Sequence, residues 1–359
     1  MDTAGDGLDL VSVRLATDED NRELLDLERM CPQGTSLVLL FDRSPDFFRR
    51  SRVYENSKVY VAEEGGKIVG TVGAAIKEFI FGKKQARGVY IYDLRVDPGC
   101  RGRGIGARLI QHAVGDVENA DFAYGIIAED NDPSRALFTK MGFQSIREFV
   151  LFNIPLYNRQ EQMTHMTRTM TTNDLPSVVE LVNNYYENRD FFSLLNTTDF
   201  LDKIKRLPGY GVEKIHVVED GNQIVACAGL WDYSEIFRIC ALHVSAKLRI
   251  MTYLLKFISI FKSTMKLPSV GEPFRLMYVR DFAFTRETAS AEELIKHSLS
   301  LACGHGCNFL SFALDSNDPA IPLLAKYKPI KVTYHVYAKS LRDEALSKPT
   351  SIYVDPADL

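Results

Sequence analysis

The chain has 359 residues, of which 46% are hydrophobic and 25% charged, and its formal net charge is -4. This length suits two domains of moderate size, and the composition excludes an extensively disordered chain. The mild negative charge argues against a dedicated nucleic-acid binder, which usually has a concentrated basic surplus. Residues 1–10 lack the basic start and the apolar run of a secretory signal. We therefore expect an intracellular protein, cytoplasmic or nuclear, that is not secreted.

The six cysteines give little indication of a metal site. A chain without a secretory signal points to a reducing compartment and free thiols. Cys303 and Cys307, with His297 nearby, are the best candidates for zinc ligands, but no second ligand pair follows at zinc-finger spacing. We predict no metal there, and a Gly-rich turn before a buried strand.

In chain order, the predicted elements of the first half occur again in the second half. Each half has a strand with a helix start, a hairpin, a strand that leads into a loop and a helix, and a final strand and helix. The matching pairs are 13–20 with 166–174, 59–70 with 215–226, 91–96 with 278–284, and 125–133 with 312–319. This order predicts a duplication, with domains at residues 1–160 and 161–359.

The second half differs from the first in two places. It carries an insertion at 236–273, whose apolar stretch 248–261 is interrupted by Arg249 and Lys256 and falls short of the roughly 20 apolar residues of a membrane span. We predict an apolar, basic helical segment there, and no membrane association. The loop that follows Phe284, residues 285–289 (TRETA), also has no glycine, so it has lost the residues that let a backbone close on phosphate.

A Gly-rich loop joins a strand to an amphipathic helix at residues 96–107 (VDPGCRGRGIGA). Glycines before a helix leave backbone N–H groups open to a ligand, and the positive helix end favours pyrophosphate. A nucleotide-triphosphatase loop requires Gly-Lys-Ser/Thr, which residues 106–108 do not provide. A dinucleotide-binding turn should follow the first strand of its domain, whereas several strands precede this loop. Coenzyme A is the third interpretation.

The segment 131–143 (NDPSRALFTKMGF) decides for coenzyme A. Together with the loop, which reads Val-x-Pro-x-x-Arg-Gly-x-Gly-x-Gly, it resembles the two signatures of the GCN5-related N-acetyltransferases (GNAT). Segments 129–139, 153–157 and 351–359 are also similar to the hookless-type N-acetyltransferases of plants. The resemblance implies an α/β (α+β) fold of two tandem domains, each a mixed, mostly antiparallel sheet flanked by helices. It also implies that a parallel strand pair splays apart at the cofactor site.

The resemblance implies acetyl-CoA as cosubstrate and direct attack of an amine on its thioester. The residues that it implies in binding acetyl-CoA are Leu94, Arg95, Val96, Arg101, Gly102, Arg103, Gly104, Ile105, Gly106, Ala107, Asn131 and Phe138. Asn131 has a helix N-cap as its alternative role. Members often have a Tyr at the position of Phe138, where its hydroxyl protonates the departing thiolate. Phenylalanine cannot donate that proton, so the acid must come from elsewhere or from water.

Asp93 is our first candidate for the base that accepts the proton of the amine, and Tyr92 is the second; for both, a structural hydrogen bond is the alternative. The acceptor stays open between a small-molecule amine and a protein or peptide amine, including a histone-type lysine. A non-catalytic acyl-CoA-binding regulatory protein is the alternative function, favoured by Phe138 and by the degenerate second half. The sequence leaves monomer and dimer open.

Overall fold

The computed structural model of the chain describes residues 11–34, 37–156, 167–244, 268–285 and 287–359. The predicted apolar helical stretch 248–261 and Met166, where the repeat restarts, lie outside these residues. No helix in the described ranges is long and apolar enough to cross a membrane.

The first half alternates strands and helices in the predicted order. Its elements are β1 Val11–Leu15, α1 Asn21–Met30, β2 Leu37–Asp42, β3 Asn56–Glu64, β4 Lys67–Phe81, β5 Lys84–Val96, α2 Ile105–Gly115, β6 Phe122–Ala128, α3 Asp132–Lys140 and β7 Gln144–Pro155. The hairpin predicted at 59–70 is confirmed, because β3 and β4 pair antiparallel up to Glu64 and Lys67.

The second half repeats much of this order. Its elements are β8 Thr167–Thr169, α4 Leu175–Tyr186, α5 Thr197–Lys205, β9 Ile215–Asp220, β10 Gln223–Asp232, β11 Arg238–Val244, β12 Pro273–Phe274, β13 Leu276–Phe284, α6 Thr288–Gly304, β14 Phe309–Asp315, α7 Ile321–Ala325 and β15 Ile330–Ser340. The second predicted hairpin is confirmed as well, with β9 and β10 joined between Asp220 and Gln223. The described segments that match between the halves therefore form the predicted elements in both.

One twelve-stranded sheet runs through both halves in the order β1-β3-β4-β5-β6-β15-β7-β14-β13-β10-β9-β8. Most neighbours are antiparallel, and the parallel pairs are β5 with β6 and β13 with β14. Strand β15, from the end of the chain, lies between β6 and β7, while β7 pairs with β14. Each half thus contributes a strand beside the other half's parallel pair, and the two halves share one continuous sheet. The mixed, mostly antiparallel fold class is confirmed.

A second, three-stranded sheet joins the halves near the start of the insertion. It has the order β12-β11-β2, and its longest register runs from Arg238 opposite Asp42 to Val244 opposite Leu37. Arg238 also donates to the Asp42 carboxylate at 2.6 Å. The described ends of the segment 236–273 are therefore strands, whose backbone groups are satisfied because β11 pairs with both β2 and β12. The helical stretch predicted between them stays a prediction.

Three of the apolar cores lie in different layers around the sheet. Helices α2 and α3 cover one face of the first half, with Ile91, Leu109 and Phe138 in that core. Helices α6 and α7 cover the corresponding face of the second half. The largest core lies between the halves and contains Tyr90 and Trp231. The strand pair that carries the predicted site thus has a helical layer on one side and the second half on the other.

A partly buried histidine pair in the second half makes stability depend on pH. His216 of β9 and His297 of α6 have ring nitrogens 3.1 Å apart. Burial, followed by His297 and Lys214, lowers the pKa of His216 to about 4, and burial lowers the pKa of His297. The unfolded state therefore binds more protons at mildly acidic pH, so stability is full above the ordinary histidine pKa of about 6.5 and falls as the pH drops towards 4.

We expect His216→Gln to flatten this pH dependence by about 1–2 kcal/mol between pH 7 and 4.5, after allowance for the partial exposure of His216. Urea unfolding at a series of pH values measures the effect. His305→Gln is the matched control, because His305 is exposed at the end of the same helix α6. Equal slopes for wild type and His216→Gln would contradict the prediction.

Candidate active site

The parallel pair of the first half opens into a fork. Its register runs from Gly88 opposite Phe122 to Ile91 opposite Gly125 and then stops. Strand β5 nevertheless continues to Val96, and β6 continues to Ala128. Backbone groups along the inner edges of the fork are therefore not paired across it, and they are available to a ligand. The predicted splayed strand pair is confirmed.

A β-bulge in β5 lies just after the last residue pair of β5 and β6, which is Ile91 opposite Gly125. Asp93 and Leu94 together face a single residue of β4, since Arg95 pairs with Thr71 and Tyr92 with Gly73. Asp93 has a φ of +51°, which non-glycine residues seldom adopt. Such a bulge re-aims the groups that follow it, and here Leu94 to Val96 form one edge of the fork.

The Gly-rich loop lies between β5 and the start of α2, as predicted. Gly102 and Gly104 have φ values of +79° and +81°, and Gly104 is the N-cap of α2. The first N–H groups of a helix have no partner within it, so Ile105 and Gly106 present theirs to the loop. This geometry fits a pyrophosphate, which combines negative charge with several acceptor oxygens. Ala107 follows in the first turn of the helix.

The arginines of the loop have partners in the protein. Arg101 donates from Nε to the Val96 carbonyl at 3.2 Å, and Arg103 donates to Glu64 at 2.9 Å. These contacts place both guanidinium groups beside the loop. The Arg95 side chain is different, because it is buried and contacts Glu28 at 3.0 Å. Only the backbone of Arg95 lies along the fork.

Asn131 and Phe138 approach the fork from α3. The Asn131 side chain accepts from the Ser134 backbone N–H at 3.3 Å and so caps the helix, which was its alternative role. Phe138 lies over Gly125 so closely that a Cβ there would be 2.7 Å from its ring. Phe138 therefore closes the narrow end of the fork on the α2–α3 face.

Tyr92 and Asp93 lie at the fork in different environments. Asp93 accepts from Arg43 at 2.6 Å, from Arg50 at 2.8 Å and from Arg95 at 3.3 Å. Although burial opposes it, the charge of the three arginines lowers the pKa of Asp93 far below its usual range. The Tyr92 hydroxyl lies 2.6 Å from that of Ser57, and burial raises the pKa of Tyr92. An ion-paired carboxylate and a neutral phenol are weak bases, so this geometry favours the structural alternative for both, and their catalytic roles stay predictions.

The residues that surround Asp93 from outside β5 are not evident from the sequence patterns. Arg43 follows β2, Arg50 lies between two short 3-10 turns, and Glu28 lies on α1. Arg43 donates to Glu28 at 2.8 Å, and its guanidinium stacks on Phe47 at 3.9 Å and on Phe237 at 5.2 Å. A charged residue directly after β2 was the only signal for Arg43.

The sequence also did not indicate that the segment 351–359 lies near this site. It lies between the halves, where Arg50 donates to the Asp358 carbonyl at 2.8 Å and Tyr54 to the Ala357 carbonyl at 2.9 Å. Lys77 holds the Asp358 carboxylate at 2.7 Å. The cavity left between this segment and β6 is only about 20 Å³. The face of the sheet opposite α2 is therefore nearly filled beside Tyr124 and Ile126.

The second half keeps a fork but fills it. Strands β13 and β14 pair from Leu276 up to Val279 and Phe312, and Asp281 repeats the bulge with a φ of +48°. The residues that follow, Phe282 and Phe284, are buried in the apolar core, and the Phe282 ring contacts that of Phe312 on β14, with 5.4 Å between the ring centroids. A filled fork without a glycine loop supports the prediction that the second half does not bind coenzyme A.

Comparison with known proteins agrees with this geometry. Residues 21–143 match the model of the acetyltransferase (GNAT) family. The chain is 24% identical to "Probable N-acetyltransferase HLS1" of Arabidopsis thaliana, over 93% of this chain and 96% of that protein. It is 29% identical to N-alpha-acetyltransferase RimI of Mycobacterium tuberculosis, over 28% of this chain and 61% of that one.

Solved structures share the fold across both halves. A GCN5-related N-acetyltransferase from Sphaerobacter thermophilus has a TM-score of 0.60 at 12% identity and covers 95% of this chain and 98% of its own. N-myristoyltransferase of Saccharomyces cerevisiae with bound myristoyl-CoA has a TM-score of 0.62 at 12% identity, over 92% of this chain and 82% of that one. Since the fork and the glycine loop both lie within residues 21–143, the first half of the chain carries a domain of the acetyltransferase (GNAT) family.

Proposed function

We propose that this protein is an acetyl-CoA-dependent N-acetyltransferase that transfers the acetyl group to a primary amine. The observation that carries the proposal is the open fork of β5 and β6 with the Gly102–Gly106 loop at its mouth, which the other half does not reproduce. The family match and the named N-acetyltransferase relatives support an acyl-CoA-dependent acyltransferase. No group of three His, Cys, Asp or Glu side chains within the described ranges is arranged to hold a metal ion.

In the proposed complex, the N–H groups of the loop and of the first turn of α2 bind the pyrophosphate. The backbone of Leu94 and Val96 binds the pantetheine arm and the thioester, and Asn131 and Phe138 line the other side. The amine nitrogen attacks the thioester carbonyl, the carbon–sulfur bond breaks, and the amine proton passes to a base or to water. Holding the reacting groups at the fork supplies much of the rate.

Acetyl is favoured over a long acyl chain by the space at the fork. Phe138 lies over Gly125 on one face, and Tyr92 lies over Gly73 on the other, so that a Cβ at Gly73 would be 2.3 Å from the Tyr92 ring. Beyond the fork, the cavity beside Ile126 has a volume of about 20 Å³. That volume holds about one water molecule. A short acyl group therefore suits this site, whereas a chain like that in the N-myristoyltransferase structure would need several side chains to move.

The acceptor would approach from the face that carries Tyr92 and Arg43, opposite α2. The second half lies on this side, because Phe237 contacts Arg43 there. Glu235, just before it, lines a cavity of about 600 Å³ together with Glu213, Asp232 and Lys214. Three carboxylates against one lysine favour cationic acceptors, so polyamines and lysine-rich peptides belong in the first acceptor panel. We further propose that residues 1–160 and 161–359 are the two tandem domains and that the protein is intracellular.

A thiol-release assay with the full chain tests the proposal. Acetyl-CoA is offered with small primary amines, polyamines, peptides with free N-termini and lysine peptides, including histone tails, and mass spectrometry detects the acetylated product. We expect amine-dependent release with acetyl-CoA, and a kcat/KM at least about 100-fold lower with myristoyl-CoA, equivalent to about 2.7 kcal/mol.

The alternative function gives a different result. A non-catalytic acyl-CoA-binding protein would be stabilised by coenzyme A in a thermal shift assay but would release no thiol with any amine. Absence of coenzyme A binding would overturn both functions. Preference for myristoyl-CoA would retain an acyltransferase but contradict the acetyl assignment.

A further inference from the structure

A buried cluster of charges behind the fork has an excess of one positive charge. This arginine cluster consists of Arg43, Arg50, Arg95, Glu28 and Asp93, so three guanidinium groups face two carboxylates. All five side chains are at most 8% exposed. Water screens such a site weakly, so the excess charge acts strongly on its surroundings.

The other ionisable groups around the cluster do not cancel this charge. Tyr90 and Tyr92 on β5, Tyr54 after the second 3-10 turn and Tyr233 after β10 all have pKa values raised by burial, so they are neutral phenols. Asp358, from the segment 351–359, is paired with Lys77 of β4. An oxygen of Leu359 accepts from the Tyr233 hydroxyl, and Leu359 forms no ion pair with the five residues of the cluster. The neighbouring elements therefore leave the positive excess in place.

The bulge itself does not require the arginines. Asp281 adopts the same left-handed conformation in the second half, at φ +48° against +51° for Asp93. Its carboxylate accepts from the Tyr210 hydroxyl at 3.2 Å and lies 4.0 Å from Lys203, while Arg280 turns to Asp355 at 2.6 Å. In the second half, the two positive charges of Arg280 and Lys203 are therefore matched by the two negative charges of Asp281 and Asp355. The positive excess therefore accompanies the fork that has the glycine loop.

We propose that the arginine cluster makes the fork electropositive and so favours the deprotonated forms of the two groups that must lose a proton there, the acceptor amine and the thiol of coenzyme A. The inference rests on the proposed function, since it concerns ligands of the same fork. A nearby positive charge disfavours an ammonium and favours a thiolate. The thiolate then leaves without a proton donor at the position of Phe138, and the amine needs no strong base.

The thiol of bound coenzyme A tests this proposal without any turnover. Calorimetry first shows that coenzyme A is bound, and the ultraviolet absorbance of the thiolate is then followed against pH. We expect the bound thiol to have a pKa below that of the free coenzyme. Arg95→Met, which removes one positive charge, should raise the pKa of the bound thiol by about 1, and Asp93→Asn, which removes a negative charge, should lower it.

Shifts of opposite sign in the pKa of the bound thiol, between Arg95→Met and Asp93→Asn, would show that the cluster acts through its charge and not only through its structure. Arg95→Lys keeps the charge and should leave the pKa of the thiol within about 0.3 of wild type, while Glu28→Gln repeats the charge change of Asp93→Asn if that variant does not fold. An unchanged thiol in the wild type, or shifts of equal sign in Arg95→Met and Asp93→Asn, would overturn the inference and leave the proposed function standing. Failure of the wild type to bind coenzyme A would overturn both.

Discussion

Gly104→Val should weaken binding of coenzyme A by about 100-fold or more. Gly104 is the N-cap of α2 at a φ of +81°, where an L-residue costs about 1–2 kcal/mol and a β-branched residue costs more. A valine also forces the loop to move, which misplaces N–H groups whose bonds to a charged ligand contribute about 1.5–3 kcal/mol each. A total of about 3 kcal/mol corresponds to this loss of affinity. Isothermal titration calorimetry with coenzyme A measures it.

Gly115→Ala is the matched control, because Gly115 ends the same helix and an added Cβ would have nothing within 4 Å. We expect this variant to bind coenzyme A as the wild type does. Gly104→Val with an affinity within threefold of wild type, at an unchanged melting temperature, would show that the loop does not bind the pyrophosphate.

Local patterns in the sequence were enough to predict both hairpins and the position of the glycine loop. Alternation around a Gly-Gly turn and around a Gly-Asn turn specified the hairpins, and glycines before an amphipathic stretch specified the loop at the start of α2. These signals extend over only a few residues, so they can be recognised without knowledge of the fold. The fork itself came from the resemblance to a family, because pairing between β5 and β6 is a long-range property.

The strand exchange between the halves could not be predicted in this way. Strands β7 and β15 have similar length and apolar content, and nothing in their periodicity decides which parallel pair each one joins. Pairing of β15 with β6 connects residues about 200 positions apart, such as Ser340 and Phe122. Local propensity carries no information on such contacts.

The arginine cluster could not be predicted from the sequence for a similar reason. Arg43 and Arg50 are 50 and 43 positions from Asp93 and lie in irregular connections. A carboxylate on a strand near a cofactor suggests a base when its partners are unknown. Only the fold shows that three guanidinium groups surround Asp93, which changes the chemistry expected of it.

Asp315→Ala should lower the free energy of unfolding by about 3–5 kcal/mol, because it breaks a buried ion pair that joins the halves. The fully buried carboxylate of Asp315, on β14, accepts from Arg147 of β7 at 2.7 and 2.8 Å. It also accepts from the backbone N–H groups of Asn317 at 2.9 Å and Ile352 at 3.1 Å. Alanine would leave Arg147 and both N–H groups without this partner. The change therefore affects the β7–β14 pairing through Arg147 and the segment 351–359 through Ile352. Urea unfolding measures the change.

Two further variants show whether the loss of stability comes from the ion pair or from any substitution in the second half. Asp315→Asn keeps an acceptor for the backbone N–H groups but loses the charge, so it should lose about half as much stability as Asp315→Ala. Asp202→Ala removes an ion pair with Lys205 whose side chains are 50% and 72% exposed, and it should change stability by no more than about 0.5 kcal/mol. If Asp315→Ala were as stable as Asp202→Ala, the β7–β14 junction would not depend on this carboxylate. Because β7 also borders β15, which pairs with β6 of the fork, loss of that junction should weaken coenzyme A binding together with stability.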